Sequence, residues 1–323
     1  MHRYIVSRLL LVIPTLLGAA ALVFILMRLI PGDICLVRLG SGGTSFSTQA
    51  LNACHAEIGI DKPWLVQFGQ FVWGLARGDF GLSMWSGKPV VQEIATRFPV
   101  SLEVALIATI IAIAIAIPLG TISALKQNTW IDLAVRSFSI AGIATPAFWL
   151  GIISILLVLA LTQAISGHPW MPSIDYVPIW KDPIRNLSIV MLPAITVGYR
   201  YAAVSMRMTR SAMLEVLRED YIRTARAKGL MEKIVINRHA LKNALLPVVT
   251  VIGIEFAFLI GGLVVTEQVF NLNGIGRLMV LSVQNQDYTM TQALVMLVVT
   301  IAVLTNLAVD LLYAWLDPRI RLR

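Results

Sequence analysis

The stretch EDYIRTARAKGLMEKIVINRHALKNALLPVV, residues 219–249, sets Arg223, Arg226, Lys228, Lys233, Arg238 and Lys242 within twenty residues. Oily sequence flanks it, in a chain of 323 residues that is 57% hydrophobic and only 14% charged. A soluble domain carries roughly 25% charged residues. A basic island between apolar runs is the pattern of a cytoplasmic loop in a membrane protein. The net charge of +8 therefore belongs to loops and chain ends, and nucleic acid is not implied as a partner.

Crossing a bilayer takes roughly 20 apolar residues. Outward from the island, six runs meet that need: Leu9 to Met27, Val104 to Leu125, Ser137 to Gly167, Asn186 to Met206 (interrupted by Arg200), Leu245 to Phe270 and Tyr288 to Val309. The third is longer than one crossing needs. The first is too long for a signal-peptide core and reads as a retained anchor. Loop charge gives the orientation. Arg207 to Lys242 holds nine basic and four acidic residues, whereas Pro31 to Val100 holds five of each. Arg3 and Arg8 stand at one end and Arg319, Arg321 and Arg323 at the other. Six spans with both termini in the cytoplasm put the island inside and the two balanced loops, 31–100 and 163–185, outside.

The first outward loop opens with GSGGTS at 40–45. Asp61 and Pro63 then suit the start of a helix. Trp64, Leu65, Phe68, Phe71, Val72 and Leu75 recur at helical spacing, with an end near Gly78. Such a helix can lie in the membrane interface, pack on neighbouring spans, or do both. Cys35 and Cys54 fall in the same loop, either as free thiols or as a disulfide, because spacing cannot establish geometry. The second outward loop is rich in Pro and aromatic residues and reads as a stiff irregular connection.

Within the island, 219–229 reads as a short helix. Glu219 and Asp220 suit its start and Lys228 its end. Gly229 sits at a left-handed C-cap position. A second helical stretch, Glu232 to Leu246, runs toward Pro247 and re-enters the membrane. A loop that only anchors on anionic lipid needs charge alone. The small residues Ala225, Ala227 and Gly229 go further, leaving a low-relief helix end into which another protein could dock.

DYIRTARAKG followed by HALKNALLPVVT resembles the coupling loop of ATP-binding-cassette importer permeases, most closely the dipeptide/oligopeptide/nickel family. RYIVSRLLLVIPTLLG at 3–18, RLIPGD at 28–33, GIDKP at 59–63 and GDFGLS at 78–83 extend the resemblance. MTRSAMLEVLREDY at 208–221, TEQVFNLNGIGRL at 266–278 and NLAVDLLYAWLDPRIR at 306–321 carry it across nearly the whole chain. Departures are Ile34 after GlyAsp, Asn273 before GlyIleGly and Thr289 after AspTyr, where the family often has Pro.

The resemblance implies an all-α polytopic membrane protein with six transmembrane helices and a type I importer-permease core. Its parts would be an N-terminal tail and first span at 1–30, an extracytoplasmic loop with an interfacial helix at 31–99, and a permease core at 100–323 with the coupling loop at 207–245. Contact with the ATPase would fall on Asp220, Tyr221, Arg223, Thr224, Ala225, Ala227, Lys228, Gly229, Leu230, His239, Asn243 and Pro247. The implied partners are a second homologous permease, two cytoplasmic ATPase subunits or domains, an extracytoplasmic solute-binding protein and the lipid bilayer. The setting would be a bacterial or archaeal cytoplasmic (inner) membrane, and the cargo a dipeptide or oligopeptide, with nickel chelates, glutathione-like peptides and small glycans as alternatives. ATP and Mg would bind the partner ATPases. This chain has no GxxxxGK[ST] phosphate loop, since SGKP at 86–89 lacks both spacing and Ser/Thr.

For the translocation path the candidates are Pro146, Phe148 and Trp149 in the third span and Glu255 and Phe256 in the fifth. A rival reading is an ion-coupled secondary transporter, because Arg136, Arg200, Glu255, Glu267 and Asp310 lie in or near spans, where charge is costly. An intramembrane enzyme is disfavoured. There is no HExxH or GxSxG, and His2, His55, His168 and His239 are scattered, so no metal site is expected.

Overall fold

The computed structural model describes residues 2–29, 35–36, 48–59, 61–173 and 175–316. The GSGGTS run and Arg319, Arg321 and Arg323 lie outside them. The described residues form helices and loops, with one isolated β-bridge between Leu82 and Pro89. Six helical runs are long and apolar enough to cross a membrane. They are α1 (His2–Leu29), α4 (Val90–Leu125), α6 (Ala147–Ser166), α7 (Pro183–Val216), the run ending in α10 (Leu241–Gly262), and α13 (Tyr288–Leu316). Between them lie α2 (Thr48–Ile58), α3 (Trp64–Arg77), α5 (Trp130–Ala144), α8 (Asp220–Ala227), α9 (Glu232–Ile234), α11 (Val264–Val269) and α12 (Ile275–Gln284).

The central pair is α4 against α7. On α4, Ala108, Ala112, Ala116 and Gly120 recur every fourth residue and are all buried. On α7, Ala194, Gly198 and Ala202 do the same. A Cβ at Gly120 would stand 2.7 Å from the Met206 carbonyl, and one at Gly198 would stand 2.8 Å from the Ala108 carbonyl. Within lipid no water is expelled when helices meet, so small residues that admit close backbone approach decide the pairing.

Two expected spans are corrected. The run from Ser137 to Gly167 is not one helix. Thr145 is extended (φ −88°, ψ 126°) and Pro146 stands at the N-cap of α6, as the residue before a proline is biased out of the helical region. The separated α5 packs on α7. Ser139 Oγ donates to the Ala203 carbonyl at 2.7 Å, and Tyr199 Oη donates to the Phe138 carbonyl at 2.9 Å. The fifth run does not reach Phe270, because α10 ends at Gly262. After it come the short α11, a positive-φ turn at Asn271 (φ 52°) and the helix α12.

Glu267 explains that turn. It is 1% exposed. It accepts from Ser101 Oγ at 2.6 Å and from the Arg277 amide at 2.8 Å, while Ser101 Oγ accepts from the Ile275 amide at 2.9 Å. A Cβ on Gly274 would overlap the Glu267 carboxylate, and one on Gly276 would stand 2.8 Å from the Val264 amide nitrogen. GlyIleGly is thus required by close approach, and Glu267 pairs structurally.

On the outward side, α3 lays Phe68, Phe71, Val72 and Leu75 against Ala20, Val23 and Met296, while Trp64, Leu65 and Trp73 are exposed. Both expected roles of this helix are therefore compatible with its two faces. Asp61 does not cap it: Pro63 holds the N-cap position with no side-chain bond, and Gly78 (φ 70°) ends it. Asp287 ties the outward loop to α13. Its carboxylate accepts from Ser83 Oγ at 2.5 Å and from the amides of Met84 and Met290 at 3.1 and 3.0 Å. Cys35 and Cys54 form a disulfide, buried beside Leu51, Met84 and Tyr288. Arg8 and Asp310 pair at 3.3 Å, joining α1 to α13.

Candidate functional site

The short helix expected at 219–229 is α8. Glu219 stands extended at its N-cap and Lys228 at its C-cap. Gly229 takes φ 75°, a left-handed value that favours glycine. After the turn, α9, a π-helical segment Val235–Ala240 and α10 run on without interruption to Gly262. Pro247 lies inside α10, so the second stretch does not stop there. Neighbouring helices and local π adjustment make such prolines tolerable in membrane helices. At the other end, Arg207 to Val216 continue α7. The segment outside the two long helical runs is only 217–231.

α8 is held to those runs by its inner face. Ile222 is fully buried and Ala225 is 7% exposed, packed with Ala124 of α4, Ala212 and Met213 of α7, and Val235, Ala240 and Ala244. The small side chain at Ala225 therefore serves the chain's own packing, not an external partner. The outward face carries Tyr221, Arg223, Thr224, Ala227, Lys228, Gly229, Leu230 and Met231, all exposed. Asn243 Nδ2 donates to Tyr221 Oη at 2.7 Å and to the His239 carbonyl at 3.3 Å. This joins three of the expected residues. Asp220 and Arg223 pair at 3.1 Å, and Arg226 grips Glu232 through Nη2 at 2.6 Å and Nε at 3.1 Å. These ion pairs are exposed and contribute little to stability.

Asp132 and Arg210 were not singled out from sequence. Arg210 donates from Nε and Nη2 to the two oxygens of Asp132, at 2.7 and 2.8 Å. Ser123 Oγ and the Asn128 amide also donate to that carboxylate, at 2.5 and 3.1 Å. The Arg210 guanidinium and these donors hold the Asp132 carboxyl well below the usual carboxylate range, against the opposing effect of burial. The cluster locks α4, α5 and α7 together beside the α8 packing cluster. In the sequence each lies a few residues beyond an apolar run, among other charges such as Lys126 and Arg207, and nothing marks the two as partners.

The path candidates are dispersed. Pro146, Phe148 and Trp149 are exposed at the start of α6, where Gly151 packs on Val269 and Phe270. Phe256 packs against the α4–α7 core. Glu255 is half-buried and accepts from Ser205 Oγ of α7 at 2.8 Å. Among the described residues no group of acidic, His and Cys side chains could hold a metal ion.

Residues 116–322 match the family described as "Binding-protein-dependent transport system inner membrane component", and residues 1–105 match its N-terminal companion. The chain belongs to this permease family. It is 41% identical over 338 residues to the dipeptide transport system permease protein DppB of Escherichia coli (strain K12), covering 99% of both chains. A putative peptide transport system permease of Brucella abortus (strain 2308) is 40% identical over 321 residues, again with 99% of both chains. The glutathione transport system permease GsiC of Salmonella choleraesuis matches at 40% over the same shares. Among solved structures, the MetNI methionine ABC transporter in an inward-facing conformation is similar, with a TM-score of 0.53 and 16% identity. That likeness covers 70% of this chain and 97% of the other, and it speaks for the fold alone. The all-helical architecture with six spanning helices is thus that of an ABC importer permease, a multi-pass inner-membrane protein.

Proposed function

We propose that this permease is the pore-forming subunit of an ATP-driven, binding-protein-dependent importer of dipeptides or oligopeptides. The observation that carries the reading is full-length identity of 40–41% to relatives named as dipeptide and peptide permeases. A second homologous permease completes the pore, and two cytoplasmic ATPase subunits or domains bind ATP and Mg. A solute-binding protein delivers cargo to the outward loop at 31–99. Both chain termini and residues 207–245 face the cytoplasm.

Coupling runs through the outward face of α8: Asp220, Tyr221, Arg223, Thr224, Ala227, Lys228, Gly229 and Leu230. Ala225, His239, Asn243 and Pro247 support it from behind. The packing of Ile222 and Ala225 of α8 on α4, on the end of α7 and on the run leading into α10 supports this role. Motion imposed on α8 by ATP-driven closure passes directly into two spans and favours one pore state by differential contact. Pro146, Phe148, Trp149, Glu255 and Phe256 remain the residues proposed for the path.

The test is to purify the tagged chain in mild detergent from its native membrane and identify what accompanies it by mass spectrometry. A second permease together with a chain bearing a phosphate loop is the expected result. Recovery of this chain alone in several detergents overturns the reading.

A further inference from the structure

On α7, Arg200, Arg207, Ser211 and Glu215 follow one another at spacings of seven, four and four residues, and all four are exposed. That spacing sets them on one face of the helix. Arg200 lies seven residues before Arg207, where the cytoplasmic segment begins, about 10 Å into the span at 1.5 Å per residue. A bilayer's hydrocarbon core is only about 30 Å thick. A guanidinium at that depth is costly against lipid, and such groups face a bundle interior or a water-filled cavity. Arg200 makes no hydrogen bond or ion pair with any described residue.

Along the same face, toward the coupling helix, a cavity of about 390 Å³ opens between α4, α5 and α7. Arg136, Arg207, Arg210, Ser139 and Ser211 line it. Asp132 neutralises Arg210. Arg136 and Arg207 have no ion-pair partner among the described residues, so the cavity carries two uncompensated positive charges. At the upper end, Arg200 acts electrostatically on Glu255 without pairing to it.

We propose that the face of α7 through Arg200, Arg207 and Ser211, with Arg136 of α5, is the water-filled wall of the translocation path at its cytoplasmic end. Its guanidinium groups receive the carboxylate of the cargo. The import of peptides, as read above, supplies the identity of that cargo, because every unmodified peptide ends in a carboxylate. Guanidinium meets carboxylate through paired charge-assisted hydrogen bonds. The exposure of these side chains to water keeps each contact weak enough for release.

Cys35 and Cys54 are bonded to each other, and no free cysteine is present. A single introduced cysteine is therefore the only reactive thiol on this chain. The experiment uses inside-out vesicles holding the assembled transporter, treated with a sulfonate-bearing or an ammonium-bearing methanethiosulfonate. Labelling is read on this chain after separation. Ser211→Cys is expected to react, and Leu156→Cys, 58% exposed on α6, to stay silent. Relative to a small free thiol, the anionic reagent should be favoured at Ser211→Cys by about tenfold, the scale on which a charged cleft concentrates counter-ions. Arg136→Gln with Arg207→Gln should erase that preference.

A silent Ser211→Cys, or a charge preference that survives loss of both arginines, overturns the proposal. Peptide uptake by the reconstituted transporter separates the two readings. Absent uptake with the labelling pattern intact removes peptide cargo and keeps the wall. Uptake with a silent Ser211→Cys removes the wall and keeps peptide cargo.

Discussion

Arg210 of α7 closes a two-point grip on Asp132 of α5, through Nε at 2.7 Å and Nη2 at 2.8 Å. The carboxylate is 1% exposed. Removing one partner of a buried pair leaves the other charge uncompensated, and Asp132→Ala is expected to destabilise the protein by about 3 kcal/mol. Thermal unfolding in detergent reads the loss. An unchanged midpoint would mean that the grip holds nothing.

The same pair has a pH signature. The folded Asp132 carboxyl is depressed, chiefly by Arg210. Its stabilising contribution is therefore fully present above the unfolded value of about 3.9 and is lost as pH falls below it. Between pH 7 and 5 the wild type and Asp132→Asn should show a constant stability difference. Below about pH 4 that difference should shrink, because the unfolded chain's carboxyl takes up its proton while the folded one stays ionised. A difference that grows on acidification contradicts the assignment.

Gly229 and Ala225 separate two kinds of damage at the coupling helix. Gly229 has φ 75° and open space around its Cα. Gly229→Val strains the turn by about 1–2 kcal/mol without disturbing the spans. The chain should insert normally, while recovery of the ATPase in a pull-down falls. Ala225→Leu instead forces bulk into the cluster of Ile222, Met213 and Val235. It should lower the unfolding midpoint itself, by about 1–3 kcal/mol in stability. Ala227→Leu, on the exposed face, should leave the midpoint unchanged and weaken ATPase recovery only.

Gly274 is bound to Glu267 by contact, not by backbone strain, since its φ is −97°. Gly274→Ala would drive a methyl group into a buried carboxylate whose bonds hold α12. A loss of about 1–3 kcal/mol is expected, and Gly274→Ala with Glu267→Gln should not restore it, because the amide is the same size. Recovery in the double variant would show that charge, and not volume, sets the requirement.

The Cys35–Cys54 disulfide spans 19 residues of sequence. A closure of that length is worth about 3 kcal/mol through the unfolded chain. Cys54→Ser should lower the midpoint of the outward loop, detected as faster proteolysis of 31–59, while recovery of the ATPase in a pull-down is unchanged.

Much of this protein was legible without coordinates. Six apolar runs, their loop charges and the helix of 219–229 follow from hydropathy, from Lys and Arg placement and from the Gly229 stop, all of which act over a few residues or over the bilayer's fixed thickness. Tertiary structure decided what depends on partners far apart in sequence. Only packing turned Ala225 inward, because which side of an eight-residue helix meets α4 and α7 is a property of the assembly. Only three-dimensional contact paired Asp132 with Arg210, and Ser101 with Glu267, since hydropathy sees a charge and not its partner. The split of the third run at Thr145–Pro146 was written in the proline, yet an unbroken apolar composition concealed it. The polar face of α7 needed both kinds of knowledge: the spacing of Arg200, Arg207 and Ser211 stands in the sequence, but their exposure beside Arg136 is set by how α5 rests on α7.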